Sequence, residues 1–225
     1  MSDKGLARAQ MNEPRRRAQF IYETLRERIC LLDYPPGTVL KERDLADEFG
    51  VSRTPLRRVL QWLESDGLTV SKQGHGTVVT DIDIESLKDI YFVRIKLAEM
   101  IGESEPYAPS DDVLDSLTAL KEKCHQAMQK PDYRAFGDIN ITLHKQFQKV
   151  IRNEILREFS DKLFYLTTRM WFRLLMDVDW RGEVNDLLRE IEEVERYFRT
   201  GDVASAGFVR RNHLAQVVRR FESSL

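Results

Sequence analysis

The sequence contains little cysteine and no long hydrophobic run. Cys30 and Cys124 are far apart and match no metal-ligand or redox spacing, so we expect two buried, reduced thiols rather than a disulfide. No apolar stretch reaches the roughly 18 residues that a membrane-spanning helix needs. Residues 1–17 carry charges where a secretory signal would be apolar. These absences exclude a disulfide-stabilised secreted domain and predict a cytoplasmic protein with no membrane partner.

The sequence also lacks a strong excess of one charge. The net charge is −2, which argues against a protein that coats nucleic acid through charge alone. Residues 1–80 carry a net charge of +2 and the remaining residues a net charge of −4. Because the excess near the N-terminus is so small, nucleic-acid binding would depend on where individual arginines are placed.

The length and composition indicate two globular domains. A chain of 225 residues with 42% hydrophobic residues suits one small domain and one of ordinary size. Residues 1–16 show no hydrophobic periodicity and are expected to form a flexible arm. We assign residues 17–80 to the small domain and residues 81–225 to the larger one. A hinge is expected at residues 81–83.

Residues 17–80 carry the pattern of a helix-turn-helix. Apolar residues recur every three or four positions over residues 18–32, which predicts a helix with one buried face. A second helix is expected over residues 42–49, ending at Gly50, and a third over residues 53–66, capped by Ser52. Two helices joined by a tight glycine turn form a helix-turn-helix.

A β-hairpin is predicted to follow these helices. Residues 68–71 alternate apolar and polar side chains, residues 77–80 are β-branched, and the turn between them contains two glycines. This hairpin would be the wing of a winged helix-turn-helix.

Beyond residue 81 only helical patterns are found. They cover residues 84–103, 111–130, 133–150, 154–178, 183–200 and 203–223. Four aromatic residues there are expected to pack in cores or at a dimer contact: Tyr165, Trp171, Phe172 and Trp180. The predicted fold class is therefore mainly α, with an N-terminal winged helix-turn-helix, a small β-hairpin wing and a C-terminal all-α helical bundle.

The third helix has the residues of a DNA-reading surface. Arg53 and Arg57 are four residues apart on one face, and the apolar residues occupy the opposite face. Arginine pairs with guanine in the major groove, and hydroxyl groups such as that of Thr54 contact phosphate. If this helix is considered by itself, the alternative to DNA binding is a charged face that contacts only solvent. The order of helix, turn, arginine-bearing helix and glycine-tipped hairpin favours DNA binding.

Several short motifs resemble the GntR family of bacterial transcriptional regulators. They are KERDLA at residues 41–46, GVSRTPLR at residues 50–57, Leu63, Gly67-Leu68 and GHG at residues 74–76. The resemblance extends over about residues 17–80. The helical remainder resembles the ligand domain, named FCD, of the FadR-type branch of that family.

This resemblance implies a set of DNA contacts and a mode of binding. The implied contacts are Arg43, Arg53, Thr54, Arg57, His75 and Gly76; Arg58 is added because periodicity exposes it, although the family often has a neutral residue there. His75 lies between two glycines, which leaves it free to enter a minor groove. We expect a repressor that binds a pseudo-palindromic operator as a homodimer.

A metal site in the larger domain is left open. The FadR-type branch commonly binds a divalent metal such as zinc through an Asp or Asn, a His four residues later and two further His. Asn140, His144 and His213 match three of these positions, but the third histidine is expected near Ile191, where none occurs. One amide and two imidazoles form a weak ligand set for zinc. The alternative is that these residues hydrogen-bond an organic effector directly.

Arg94 completes the predicted effector site. It resembles an inward-facing arginine of the family and would pair with a carboxylate through two hydrogen bonds. The expected effector-binding residues are Arg94, Asn140, His144 and His213, and the expected effector is a small organic, sugar or amino acid. We predict no enzymatic activity, because no nucleophile motif is found. Two alternatives stay open: a metal-dependent enzyme that uses His144 and His213, and a DNA-binding protein without an effector.

Overall fold

The structure is a computed structural model that describes residues 3–81, 84–174 and 179–223, and side chains over residues 14–81, 86–168 and 179–220. The chain divides into two compact units, Met1–Asp81 and Ile82–Leu225. Two positions of the predicted hinge, 82 and 83, lie outside the described residues. The side chains of Trp171 and Phe172 lie outside them as well.

Unit 1 begins with a helix that is longer than expected. Helix α1 spans Asp3–Cys30, whereas the sequence predicted a flexible arm over residues 1–16 and a helix only from about Ala18. The physical reason for this correction is that Ala, Arg, Leu, Met and Gln in this segment favour helix without forming an apolar stripe. Hydrophobic periodicity detects amphipathic helices, so it predicted α1 only from about Ala18 onward.

The next two helices confirm the predicted helix-turn-helix. Helix α2 spans Glu42–Phe49 and helix α3 spans Arg53–Ser65. Gly50 ends α2 with the positive φ of 59° that the turn requires. Ser52 occupies the N-cap position of α3, but its side chain makes no capping hydrogen bond, which corrects that detail of the prediction. The core residues contributed by α1 and α3 are Ile21, Leu25, Ile29, Leu56, Val59, Leu60 and Leu63.

The sheet of unit 1 has three antiparallel strands in the order β1-β3-β2. Strand β1 spans Val39–Leu40, β2 spans Thr69–Lys72 and β3 spans Gly76–Val79. The predicted hairpin is confirmed, with Lys72 opposite Gly76. The third strand was missed, because two residues are too few to show a period of two and β1 forms only by pairing with β3.

Unit 2 contains six helices and, over its described residues, no strand. They are α4 Ile84–Glu103, α5 Asp111–Gln129, α6 Tyr133–Val150, α7 Glu154–Leu174, α8 Trp180–Arg199 and α9 Val203–Ser223. This confirms the predicted helical bundle. Helix α8 begins three residues earlier than expected, and residues 175–178 of the predicted fourth helix lie outside the described residues.

Helices α4 and α9 approach each other closely. A Cβ atom added to Gly102 would lie 2.3 Å from the Cα of Ala204, and one added to Gly207 would lie 2.8 Å from the carbonyl oxygen of Ala98. A larger residue at either glycine would collide with the backbone of the other helix, so these glycines allow the backbones of α4 and α9 to lie close together. This close contact places Arg94 of α4 beside α9.

The predicted buried residues are confirmed where the structure describes them. Cys30 and Cys124 are buried thiols, and neither is part of a disulfide. Tyr165 is buried, and the indole N–H of Trp180 donates to the carbonyl oxygen of Ala127 at 2.9 Å. These aromatic side chains therefore pack in the core of unit 2.

Candidate nucleic-acid interface and candidate ligand pocket

The predicted DNA-contacting residues are all exposed on unit 1. They are Arg43 on α2, Arg53, Thr54, Arg57 and Arg58 on α3, and His75 and Gly76 at the tip of the hairpin. The opposite face of α3 is buried against α1. A helix that presents several exposed arginines and a hydroxyl on one face has the groups that base edges and phosphates accept.

The arginines of α3 differ in their surroundings. Arg57 Nε lies 2.8 Å from Glu42 Oε2, with both side chains exposed to solvent. The guanidinium of Arg58 lies 5.2 Å above the ring of Trp62, a cation–π distance that holds it along its own helix. Arg53 has no ion pair among the described residues. Exposed ion pairs contribute at most about 1 kcal/mol, so Arg57 can exchange Glu42 for a base or phosphate at little cost.

The hairpin tip holds His75 in open space. Gly74 and Gly76 have φ angles of +78° and +81°, and no atom lies within 4 Å of a Cβ added to either. The His75 Nδ1 lies 3.2 Å from the carbonyl oxygen of Gln73. The two glycines therefore leave the imidazole accessible from both sides, as a side chain entering a groove requires.

Unit 2 contains a small cavity between α4, α6, α7 and α9, which opens to solvent. It is lined by Arg94, Phe136, Gly137, Asn140, Phe164, Thr168, Arg210, His213, Leu214 and Val217. A second cavity shares Arg94, Arg210 and Leu214 with the first and is also lined by His144. The structure thus brings three of the predicted effector residues to the first cavity and His144 to the adjoining one.

Arg94 is a buried cation that lines both cavities. Its side chain is buried, and Nη1 donates to Thr167 Oγ1 at 2.6 Å. The guanidinium lies 5.4 Å from the ring centre of Phe164. Burial lowers the pKa of Arg94 to about 10, and the positive charge of Arg210 acts in the same direction. No carboxylate pairs with Arg94 within the part of unit 2 whose side chains are described.

Two further residues of this site were missed by the sequence reasoning. Arg210 Nη1 donates to Glu190 Oε1 at 2.8 Å, with both side chains nearly inaccessible to solvent. Glu190 Oε2 lies 3.4 Å from His213 Nε2 and has no hydrogen-bond partner among the described residues. Glu190 could have been noticed in the sequence, because it is an acidic residue next to Ile191 on the apolar face of α8. Ile191 is itself a core residue.

Two of the three histidines of unit 2, His144 and His213, line the cavities and have lowered pKa values. His144 Nε2 lies 2.9 Å from Asp161 Oδ1, and its ring stacks on Phe164 with centroids 3.9 Å apart. Burial lowers the pKa of His144 to about 4 despite the carboxylate of Asp161. Burial also lowers the pKa of His213. Neither imidazole therefore adds positive charge to the cavities at pH 7.

These residues do not fit the metal site that the resemblance implied. The amide nitrogen of Asn140 donates to the carbonyl oxygen of Phe136 at 3.0 Å, and His144 Nε2 already contacts Asp161. No group of three His, Cys, Asp or Glu side chains in the described part of the chain is arranged to hold a metal ion. Arg94 and Arg210 line the same cavity and would repel a divalent cation.

The fold and the two sites define a class: a winged helix-turn-helix protein with a second, all-helical unit that contains a cationic cavity. Residues 17–79 match the family described as "Bacterial regulatory proteins, gntR family", and residues 89–216 match the FCD domain. The chain belongs to the GntR family and carries an FCD domain.

Relatives of known sequence agree with this family. The chain is 29% identical over 140 residues to the HTH-type transcriptional regulator YdhC of Bacillus subtilis, covering 62% of this chain and 58% of that protein. It is 27% identical to the gluconate operon transcriptional repressor of Bacillus licheniformis, covering 59% of this chain and 54% of the repressor. It is 30% identical to the fatty acid metabolism regulator protein of Haemophilus influenzae, covering 54% of this chain and 60% of that protein. The match thus spans somewhat more than half the length of these relatives, which are transcriptional regulators rather than enzymes.

Solved structures share the fold. The chain is similar to Escherichia coli McbR/YncC with a TM-score of 0.76 and 18% identity, covering 92% of this chain and 98% of that chain. A GntR protein from Rhodococcus sp. RHA1 gives a TM-score of 0.69 and 19% identity, covering 93% and 99%. Among the described helices, none is both long and apolar enough to cross a membrane.

Proposed function

We propose that this protein is a ligand-responsive transcriptional repressor. Unit 1 binds a pseudo-palindromic operator as part of a homodimer, and unit 2 binds a small anionic effector. The observation that carries the regulatory proposal is Arg94, a buried guanidinium that lines two cavities in unit 2 and contacts no carboxylate among the described side chains. A DNA-binding protein without an effector would have no use for such a desolvated cation, because burying an unpaired charge destabilises the fold.

DNA binding is supported by the exposed face of α3. Arg53, Thr54 and Arg57 would enter the major groove, with Arg57 released from Glu42, while His75 and Gly76 reach an adjacent minor groove. Arg43 and Arg58 are placed to contact phosphates. The gluconate operon relative is named a transcriptional repressor, which supports the same direction of control here.

Dimer formation is supported by apolar side chains exposed on unit 2. Phe92, Val93 and Met100 of α4 are 66%, 42% and 46% exposed, and Phe208 of α9 is 50% exposed. An apolar patch of this kind is typical of a protein contact, and a two-fold dimer matches the symmetry of a palindromic operator. Light scattering is expected to give twice the chain mass of 26.4 kDa. A monomeric mass at micromolar concentration would contradict the proposal.

The effector is proposed to be a small organic, sugar or amino acid whose anionic group pairs with Arg94. Such a ligand controls transcription only if it binds one DNA-binding state better than another. A coupling free energy of about 1–3 kcal/mol would change operator affinity by roughly 5- to 150-fold.

The test is a titration of the purified protein against the DNA upstream of its own coding region and against a genomic fragment library, with competitor DNA at two salt concentrations. We expect a competitor-resistant complex that weakens as salt rises. Small acids that release this complex would identify the effector class. Sequence-indifferent binding across the whole library would overturn the regulator proposal.

A further inference from the structure

Around the two cavities of unit 2, the described buried charges do not balance. Arg94 and Arg210 each line both cavities, and Arg210 forms its ion pair with Glu190. The histidines that share these cavities are uncharged at neutral pH. Two further carboxylates act on these histidines: Asp161 contacts His144, and Asp186 acts on His213 while it pairs with Arg220. Their side chains are 31% and 30% exposed, so water screens both charges. Among the described buried groups, two arginines therefore face one glutamate, and Glu190 contacts Arg210 while it acts on Arg94 only from a distance.

We propose that unit 2 selects a monocarboxylate and that Glu190 sets this preference. The inference rests on the proposed binding of a small anion by unit 2 and adds the charge that the anion must have. Glu190 acts through Arg210, so it is a specificity-determining residue that need not touch the ligand.

A second negative charge on the ligand would meet no further free cation among the described side chains that line the cavities. Glu190 Oε1 already occupies Arg210 at 2.8 Å, and Glu190 Oε2 lies buried without a hydrogen-bond partner in the described residues. A second carboxylate would therefore be desolvated near a buried carboxylate, which is costly. A phosphate monoester is largely a dianion at neutral pH, because its second pKa is near 6. The charge balance thus favours a carboxylate over a phosphate.

The side chains that line the first cavity indicate the chemical character of the ligand beyond its carboxylate. Phe136, Leu214 and Val217 form an apolar surface, and Thr168 and Asn140 contribute polar groups on the same lining. A carboxylate at Arg94 would therefore carry a mainly apolar chain or ring. Burying that surface supplies the favourable free energy, while the carboxylate fixes the orientation.

The experiment compares ligands that differ in charge but not in carbon number. Straight-chain monocarboxylates, the α,ω-dicarboxylates and the neutral amides of four, six and eight carbons are titrated calorimetrically into the full-length protein at pH 7.5, together with inorganic phosphate. We expect at least one monocarboxylate to bind about tenfold or more tightly than its matched dicarboxylate, and the amides and phosphate to bind more weakly still.

Three variants isolate the contribution of Glu190. In Glu190→Gln the carboxylate is replaced by an amide of the same shape, which frees the charge of Arg210. The ratio of dicarboxylate to monocarboxylate affinity is expected to rise about tenfold to a hundredfold. Glu190→Asp keeps the charge and is expected to keep the wild-type ratio. Glu183→Gln removes a second buried carboxylate of α8 that pairs with Arg220 and lines neither cavity, so it is the matched control.

The outcomes separate this inference from the proposed function. If the wild-type protein binds matched mono- and dicarboxylates equally, or if Glu190→Gln leaves the ratio unchanged, the role of Glu190 is overturned while binding of an anion stands. If no acid in the series binds, the preference for a monocarboxylate with an apolar chain is overturned, and the proposed anionic effector is then tested by whether sugar acids or amino acids release the operator complex. The wild-type ratio is measured without any substitution, so the test does not depend on the folding of Glu190→Gln.

Discussion

The two units both present arginines, but in opposite environments. In unit 1 Arg57 is 61% exposed and shares its charge with an exposed glutamate, whereas in unit 2 Arg210 and Glu190 are withdrawn from water. An exposed ion pair exchanges partners easily, which suits a polyanion such as DNA. A buried pair does not exchange partners, because separating it would leave a buried charge uncompensated. The pair therefore determines the charge of the ligand that the site accepts. Exposure, more than residue type, therefore separates the two proposed functions.

The largest test of this comparison removes one arginine from each pair. Arg210→Met leaves Glu190 buried without a partner, so we expect the free energy of unfolding of unit 2 to fall by about 3–5 kcal/mol. Arg57→Met, the matched change in an exposed pair, is expected to cost less than about 1 kcal/mol. Urea denaturation followed by circular dichroism measures both. Equal losses would show that the environment of the pair does not matter as argued.

A second test measures how the free energy of unfolding depends on pH. Because the pKa of His144 is lowered from 6.5 to about 4 in the folded state, the unfolded chain binds a proton first as the pH falls. The contribution of His144 is fully present above about pH 6.5 and is lost between pH 6.5 and 4, on the order of 3 kcal/mol. The check is the pH dependence of unfolding in wild type and in His144→Gln. Parallel curves for the two proteins would contradict the assignment.

A third test concerns the exposed arginines alone. Arg53→Ala and Arg57→Ala are each expected to weaken specific operator binding by about 1–3 kcal/mol while helical content and dimer mass stay unchanged. Gln61→Ala, on the exposed side of the same helix, is the control for a general effect on α3. Wild-type affinity in both arginine variants would remove α3 from the proposed interface.

The smallest test contrasts glycines of the two units. Gly102→Ala would force α4 and α9 apart and is expected to cost about 1–3 kcal/mol, because the new Cβ lies 2.3 Å from the Cα of Ala204. Gly74→Ala at the hairpin tip meets no atom and suffers only from its positive φ, about 1 kcal/mol. Thermal unfolding resolves the two. A larger loss of stability for Gly74→Ala than for Gly102→Ala would contradict the argument that the close contact of α4 and α9 sets the larger cost.

Local signals predicted the elements that local forces form. The end of α2 at Gly50 and the hairpin between Lys72 and Gly76 follow from backbone preferences that act within a few residues. The start of α1 was predicted too late, because the sequence of its first turns contains helix-forming residues but no apolar period. Strand β1 was missed, because it exists only through its pairing with β3.

The candidate site divides in the same way. Arg94, Asn140, His144 and His213 were predicted from spacing and resemblance, and the structure places all four at two adjoining cavities. Their roles in binding stay predictions. Glu190 was not predicted, because nothing in the sequence around it shows that its partner lies on α9.

The sequence by itself determined the helices, the helix-turn-helix and the wing, since periodicity, helix ends and glycine turns act over short distances. It also determined that α3 has one apolar and one cationic face. Only the tertiary structure decided that Arg210 pairs with Glu190 while Arg94 has no acidic partner in contact among the described residues. The physical reason is that the charge state of a buried site depends on which side chains packing brings together across the chain, and no local pattern specifies those partners.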